Sequence, residues 1–329
     1  MAPAMTALSN ANITTRSMLQ VLFAMLPGAF ASIYFFGLGV LTNLLVAIIA
    51  CAGFEAIALH LRKQDVRTPL IFDTERGDCS ALITGTLIAL AMPPTIPLWL
   101  IITACGVAIL LAKHACGGYG RNLFNPAMAG YAYTLVLYPA AFAQWSLTFD
   151  GALDGTIDGT TGATALDVFK QNRADLVSDW WRAHSAFGNF GGAGWDWINL
   201  LFLAGGIYLL QQKIIRWHAP VSAILALSFF ALIFYDGGSS SSGGSPLMHL
   251  FSGGTLLGIF FVVTEPVTLP ANKYAQTAYG ALIGALIFCI RHWGDYADGI
   301  AFAVLFGNAL APLLDRLLSI NIFERMRQQ

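Results

Sequence analysis

The feature that most constrains this chain is a succession of apolar runs, several of them long enough to cross a bilayer, separated by short polar stretches. A helix needs about 20 predominantly apolar residues to span the hydrocarbon core. The runs predict spans at 18–36, 39–61, 79–93, 97–112, 122–143, 195–211, 219–235, 246–264, 275–290 and 298–318. Only 11% of the residues are charged, against about 25% in soluble proteins. The chain is therefore read as an all-α polytopic membrane protein of about ten transmembrane helices. Several runs are short for a simple span. The run 79–93 ends in Met92-Pro93-Pro94, which predicts a broken or half-length helix, because proline lacks the backbone N–H a helix needs. Ala29-Phe30-Ala31 imitates a signal-cleavage site, but the apolar run continues past it, so the first segment is expected to be retained.

Basic residues set the expected orientation, since lysine and arginine favour cytoplasmic loops. An inner N-terminus puts Arg16, Arg62, Lys63, Arg67, Arg76, Lys113, Arg121, Lys213, Arg216, Lys273, Arg316, Arg325 and Arg327 on the inner side. Only Lys170, Arg173, Arg182 and Arg291 are left outside. Both termini are then cytoplasmic, and residues 144–194 form an outer loop. That loop carries aspartates at 150, 154, 158, 167, 175 and 179; a charge at mid-bilayer costs about 2.5–3.5 kcal/mol, so it cannot be a span. Its amphipathic part, Leu166 to Trp181, is expected to lie on the membrane surface. With 17 basic and 18 acidic side chains, nothing points to a nucleic-acid partner. The five cysteines lie singly with no C-x-x-C pair, so no metal or iron–sulfur site is expected from this chain alone.

Two local echoes suggest an internal repeat. Gly85-Thr-Leu-Ile88 resembles Gly254-Thr-Leu-Leu257, and Leu123-Phe-Asn-Pro-Ala127 resembles Leu305-Phe-Gly-Asn-Ala309. Five helices per half is an odd number, so the halves would be inverted, with functional groups where their broken helices meet. This divides the chain into a first repeat (1–143), an outer loop (144–194) and a second repeat (195–329).

The outer loop contains Asp158-Gly-Thr-Thr-Gly-Ala-Thr164. One reading makes Thr164 a helix cap, since Thr164-Ala-Leu-Asp167 has the spacing of an N-terminal start signal. The other is that Asp-x-x-Thr-Gly-Ala-Thr resembles the acceptor sequence on which a flavin transferase attaches FMN through a phosphodiester bond. Thr164 would then be the attachment site. Gly159 and Gly162 would free the backbone, Ala163 would keep the surface low, and Asp158 would help position the acceptor. The two readings are compatible.

Other candidates lie within the spans. Asn122 and Asn125 need partners in an apolar segment, and Pro126 frees a carbonyl beside them. They either bind a second, noncovalent flavin or are satisfied by a neighbouring helix. Glu55, an acidic residue inside the second span, is a candidate proton or sodium relay or else a structural group. Glu265 beside Pro266 reads as a helix-end feature. No catalytic residue is expected.

Together with Gly117-Gly-Tyr-Gly-Arg-Asn-Leu-Phe-Asn-Pro-Ala127, these features resemble the D subunits of Rnf electron-transport complexes. The sister family comprises the B subunits of the sodium-pumping NADH:quinone oxidoreductases. The resemblance implies covalent FMN on Thr164, and it also suggests a noncovalent flavin such as riboflavin. It further implies partner subunits carrying iron–sulfur clusters and FMN, a periplasmic flavin transferase for maturation, and an inner-membrane location. Electron flow between ferredoxin and NAD would be coupled to Na+ or H+ movement. Two alternatives remain: electron delivery to quinone, and a urea- or ammonium-channel-like solute channel.

Overall fold

The computed structural model describes residues 2–64, 79–118, 120–146, 161–162, 164–171, 186–237 and 242–319. Asp158, Gly159 and Ala163 fall outside that set, as do most of the expected surface helix and part of the glycine–serine loop. The first half begins with helices α1 (Ala2–Phe36) and α2 (Leu38–Leu61), followed by α3 (Ser80–Ala91). Next come α4 (Leu98–Gly106, continuing as a wide π-helix over Val107–Ala115), α5 (Pro126–Leu137) and the single turn α6 (Pro139–Phe142). Strands β1 (Trp145–Ser146) and β2 (Thr161–Gly162) bracket the outer loop, and α7 (Ala165–Gln171) follows. The second half holds α8 (Trp195–Gln211), α9 (His218–Ile233), α10 (Pro246–Leu250), α11 (Thr255–Leu257, continuing as π over Gly258–Val262), α12 (Lys273–Trp293) and α13 (Ile300–Ser319).

Among the described residues, five segments are long and apolar enough to cross a membrane: Thr15–Phe36, Leu38–Leu61, Leu98–Ala115, Lys273–Trp293 and Ile300–Leu318. The expected half-length helix is α3, whose 12 residues reach about 18 Å at 1.5 Å per residue. Two expected spans need correction. The run 122–143 turns helical only at Pro126 and stops at Leu137; proline suits a first helical turn, and Pro139 cannot continue the ladder. The run 246–264 is discontinuous, broken over Phe251–Gly254, where Gly253 takes φ +61°.

A broken helix inside a bilayer must satisfy its freed backbone groups within the protein. Buried asparagines do so here. Asn43 Nδ2 donates to the Pro93 carbonyl at 2.9 Å after α3 ends. Asn199 donates to the Gly253 carbonyl at 2.7 Å and accepts from Leu256 N at 2.9 Å, spanning the break before α11. Asn308 Oδ1 accepts from Asn125 N at 2.9 Å at the start of α5. That last bond joins the two echoed sequences.

Packing relies on close backbone approach, as expected where apolar lipid gives helices little reason to associate. The most extensive pair is α9 with α12. A Cβ at Gly280 or Gly284 would collide with the carbonyls of Ala219 and Ala223, so this Gly-x-x-x-Gly face admits no side chain. The same partners recur in each half: α2 packs on α4 as α9 does on α12, and α4 packs on α5 as α12 does on α13. Contacts of α1 with α8 and of α5 with α13 cross between them.

The bundle has two distinct ends. One gathers the end of α2, the start of α3 and the 114–125 turn, where Arg62 donates to the Gly117 carbonyl at 3.0 Å. The starts of α9 and α12 and the end of α13 also lie there, with Asn272 bonded to the Leu318 carbonyl at 2.9 Å. This proximal end holds both terminal helix ends. The distal end holds Phe36 packed on Trp195 (5.1 Å), Thr95 bonded to the Gln144 carbonyl at 2.9 Å, and α7.

Candidate functional site

The distal site is built around Thr164. Strands β1 and β2 pair antiparallel, with Trp145 opposite Gly162 and Ser146 opposite Thr161. This ladder ties the acceptor stretch to the end of the first half. Thr164 then opens α7. Its Oγ1 donates to Asp167 Oδ2 at 2.6 Å, its N–H donates to the same oxygen at 3.1 Å, and Asp167 N donates back to Oγ1 at 3.2 Å. The arrangement is a reciprocal cap that satisfies two N-terminal donors. Leu166, Val168 and Phe169 bury one face of α7 in a small core with Phe187 and Met248. Lys170 Nζ donates to the Tyr296 carbonyl at 2.6 Å, anchoring α7 to the second half. So held, half-buried Thr164 lines a cavity of about 210 Å³ whose wall includes Tyr131, Phe142, Trp145, Trp195 and Tyr296. The rings interlock: Trp145 meets Trp195 at 5.1 Å and Tyr131 meets Phe142 at 5.2 Å.

The proximal site is built around Asn125. Its Oδ1 accepts from Met128 N at 3.0 Å, capping α5, while its Nδ2 donates to Glu265 Oε2 at 2.8 Å. Thr268 Oγ1 donates to the same carboxylate oxygen at 3.1 Å. Asn122 Nδ2 donates to the Phe124 carbonyl at 3.1 Å, and its side chain also reaches Glu265. Asn308, which holds Asn125 N, donates to the Tyr279 hydroxyl at 2.7 Å. Glu265 and Asn125 line a second cavity of about 400 Å³, with Ser80 and Thr84 on one side and Phe260 and Phe261 on another. Glu265, expected only to end a helix, is thus part of a site. Its place along the chain was legible, but the partners facing it were not.

A model of the NQR2, RnfD, RnfE family matches residues 4–324. The chain belongs to that family. It is 48% identical over 324 residues to the D subunit of the ion-translocating oxidoreductase complex of Cellvibrio japonicus (strain Ueda107), covering 93% of this chain and 89% of the relative. The corresponding D subunit from Pseudomonas aeruginosa (strain UCBPP-PA14) is 41% identical, covering 92% and 90%. That of Salmonella heidelberg (strain SL476) is 40% identical, covering 93% of each chain.

In this family member Glu55 is buried at 3% exposure, and the structure brings to it two residues that the sequence did not single out. Lys113 Nζ donates to Glu55 Oε1 at 2.9 Å, and His114 Nε2 lies 3.0 Å from the same oxygen. The wide π-turns of Val107–Ala115 let consecutive residues face α2 together. A second buried cation, Arg291, was expected in an outer loop. It lies inside the distal end, 2% exposed, donating to the His249 carbonyl and to Thr255 Oγ1 at 2.7 Å each, and to Asp298 Oδ1 at 3.0 Å. A charge flanked by apolar sequence was the available signal for both.

Proposed function

We propose that this chain is the membrane-embedded D subunit of an ion-translocating oxidoreductase complex, carrying FMN as a phosphodiester on Thr164 and a noncovalent flavin, such as riboflavin, in the proximal cavity. The observation that carries the reading is the position of the Thr164 hydroxyl on the wall of an aromatic cavity at the bundle's distal end. A pore has no use for a tethered acceptor there. Lysine and arginine concentrate at the opposite end: Arg62, Lys63, Lys113, Arg121, Lys213, Arg216, Lys273 and Arg316 lie there, against Lys170 and Arg291 at the distal end, among the described residues. That asymmetry supports a cytoplasmic proximal end and a periplasmic Thr164 in an inner membrane. The recurring helix pairs support two five-helix repeats, inverted because the helix count per half is odd.

When bound, flavin supplies one-electron transfer, which no side chain here performs reversibly. The chain's own residues do the rest. Thr164 offers the hydroxyl to be esterified, Asp167 orients it, and the β1–β2 ladder and α7 fix where it sits. Tyr131, Trp145 and Trp195 provide flat, water-excluding surfaces. At the other end Asn125 and Glu265 line the cavity with amide and carboxylate groups suited to a heterocycle rich in N–H and C=O groups, while Asn122, outside the lining, is held by the Phe124 carbonyl. Partner subunits with iron–sulfur clusters and FMN would pass electrons from the ferredoxin side toward NAD, with Na+ or H+ moved in step.

The test is chemical. Expressed with its flavin transferase, the denatured chain should fluoresce under ultraviolet light and carry the mass of one FMN ester. Thr164→Ala should lose both signals completely, and Thr164→Ser should keep them. A wild-type chain with the mass of its amino acids alone, made beside an active transferase, overturns the covalent reading.

A further inference from the structure

We propose that Glu55, Lys113 and His114 form a buried proton-accepting site that balances charge on the occupant of the proximal cavity. The proposal rests on the reading of that cavity as a flavin site and adds the residues that answer its change of charge. Glu55, Lys113 and His114 are 3%, 2% and 6% exposed. Lys113 Nζ also donates to Ser80 Oγ at 2.6 Å, and Ser80 lines the cavity. Glu265 lines the same cavity as Ser80.

A buried polar atom without a partner costs about 1–3 kcal/mol, so an open position beside a buried pair is a place where a proton can be taken up. Here Glu55 Oε2 and His114 Nδ1 have no hydrogen-bond partner among the described residues, and His114 Nε2, though 3.0 Å from Glu55 Oε1, is not aligned to bond it. The surrounding groups do not complete them. Cys51 on α2 and Cys105 on α4 are buried close by, with Cys105 turned to the Ala47 carbonyl at 3.6 Å. Ser80 on α3 is engaged with Lys113. Arg62 spends its guanidinium on the carbonyls of His114 and Gly117. The cluster therefore has room for one more proton, on the imidazole. That imidazole lies 3.0 Å from Glu55 Oε1, where a second ion pair would form.

The step balances simply. One electron, given up by a reduced iron–sulfur cluster of a partner subunit, reaches the cavity's occupant, and one proton enters from the aqueous phase at the proximal end and forms a single N–H bond on His114. Nothing else is released. Added negative charge near the cluster favours its protonated form, and the low dielectric of the interior strengthens the coupling.

The experiment is a redox titration of the noncovalent flavin in the purified complex at several pH values, in a Thr164→Ala background. Its midpoint should fall by a tenfold change in equilibrium per pH unit, about 59 mV for a one-electron couple. His114→Gln and Glu55→Gln should each flatten that slope, while His60→Gln, an exposed site on the same helix as Glu55, should leave it alone. An unchanged slope with the flavin retained in either cluster variant overturns the proposal, as does a wild-type slope of zero. Loss of the flavin from both variants also overturns it, since the residues would then hold the occupant directly. Absence of any extractable noncovalent flavin from wild type, or content unaffected by Asn125→Leu with Glu265→Leu, instead rejects the cavity reading on which the proposal stands.

Discussion

Lys113 and Arg291 occupy comparable places at opposite ends of the molecule. Each lies near the end of the long helix that follows the short or broken element of its half, and each reaches a hydroxyl at the start of that short element's helix: Ser80 on α3 for Lys113, Thr255 on α11 for Arg291. Their company differs. Arg291 spends Nη1 and Nη2 on the carbonyls of His249 and Ser252, on Thr255 and on Asp298, which keeps 29% of its side-chain surface exposed, while its Nε has no hydrogen-bond partner among the described residues. Lys113 faces a carboxylate as buried as itself, with an unpartnered oxygen and a neighbouring imidazole. The first arrangement uses a permanent charge to close a helix break; the second leaves protonation sites open. Arginine stays charged under all ordinary conditions and its planar donors suit several fixed acceptors, whereas lysine is a compact charge that can trade protons. The comparison teaches that burial of a cation does not reveal its role until its acceptors are counted.

Arg291→Leu should give the largest effect. It takes the guanidinium from the His249 and Ser252 carbonyls, which are left sharing the single Thr255 hydroxyl, and it leaves Asp298 without its cation. Removing one partner of such a buried network costs about 3–5 kcal/mol. Thermal unfolding of the detergent-solubilised complex should show the loss, and Arg291→Lys should recover only part of it, since an ammonium cannot span the same acceptors. An Arg291→Leu protein as stable as wild type would remove the distinction between the two ends.

Lys113→Met should destabilise somewhat less, by about 3 kcal/mol, the low end for breaking a buried ion pair, since it leaves one carboxylate without its cation where Arg291→Leu disturbs several groups at once. The double variant Glu55→Leu with Lys113→Met should recover most of the loss, because replacing both members of a buried pair by apolar groups is often neutral. Additive losses in the same unfolding assay would mean that the pair does not act as a unit. Comparable recovery is not expected from Arg291→Leu with Asp298→Leu, since the His249 and Ser252 carbonyls would still share one hydroxyl between them.

These two centres also mark where the sequence stops being legible. The long helices α1, α2, α4, α12 and α13 follow from apolar runs, because length and composition along one segment decide whether it can span. The cap at Thr164 is readable for a similar reason: its partner, Asp167, is three residues away. Asn125 and Pro126 are recognisable as a disturbance, though not as the start of the helix. Lys113 and Arg291 read from sequence as loop charges. Their true setting depends on Glu55, 58 positions from Lys113, and on Thr255, 36 positions from Arg291. Periodicity within one helix carries no information about what another helix places opposite. The break over Phe251–Gly254 is hidden in the same way, since Asn199, 57 positions from Leu256, makes it tolerable.

The smallest effect should come from Asp167→Ala, which separates the two readings of Thr164. The substitution removes the acceptor of the Thr164 hydroxyl and N–H while leaving the hydroxyl in place. Loss of one half of a helix cap costs about 1 kcal/mol, and α7 keeps its buried face and the Lys170 anchor, so global stability should barely move. If the cap serves only to start α7, flavin attachment should proceed at the wild-type rate. If Asp167 also orients the hydroxyl for esterification, attachment should slow several-fold while its final extent stays complete. Following in-gel flavin fluorescence against time after addition of transferase and a flavin dinucleotide distinguishes the two, because only the second role changes a rate without changing the endpoint.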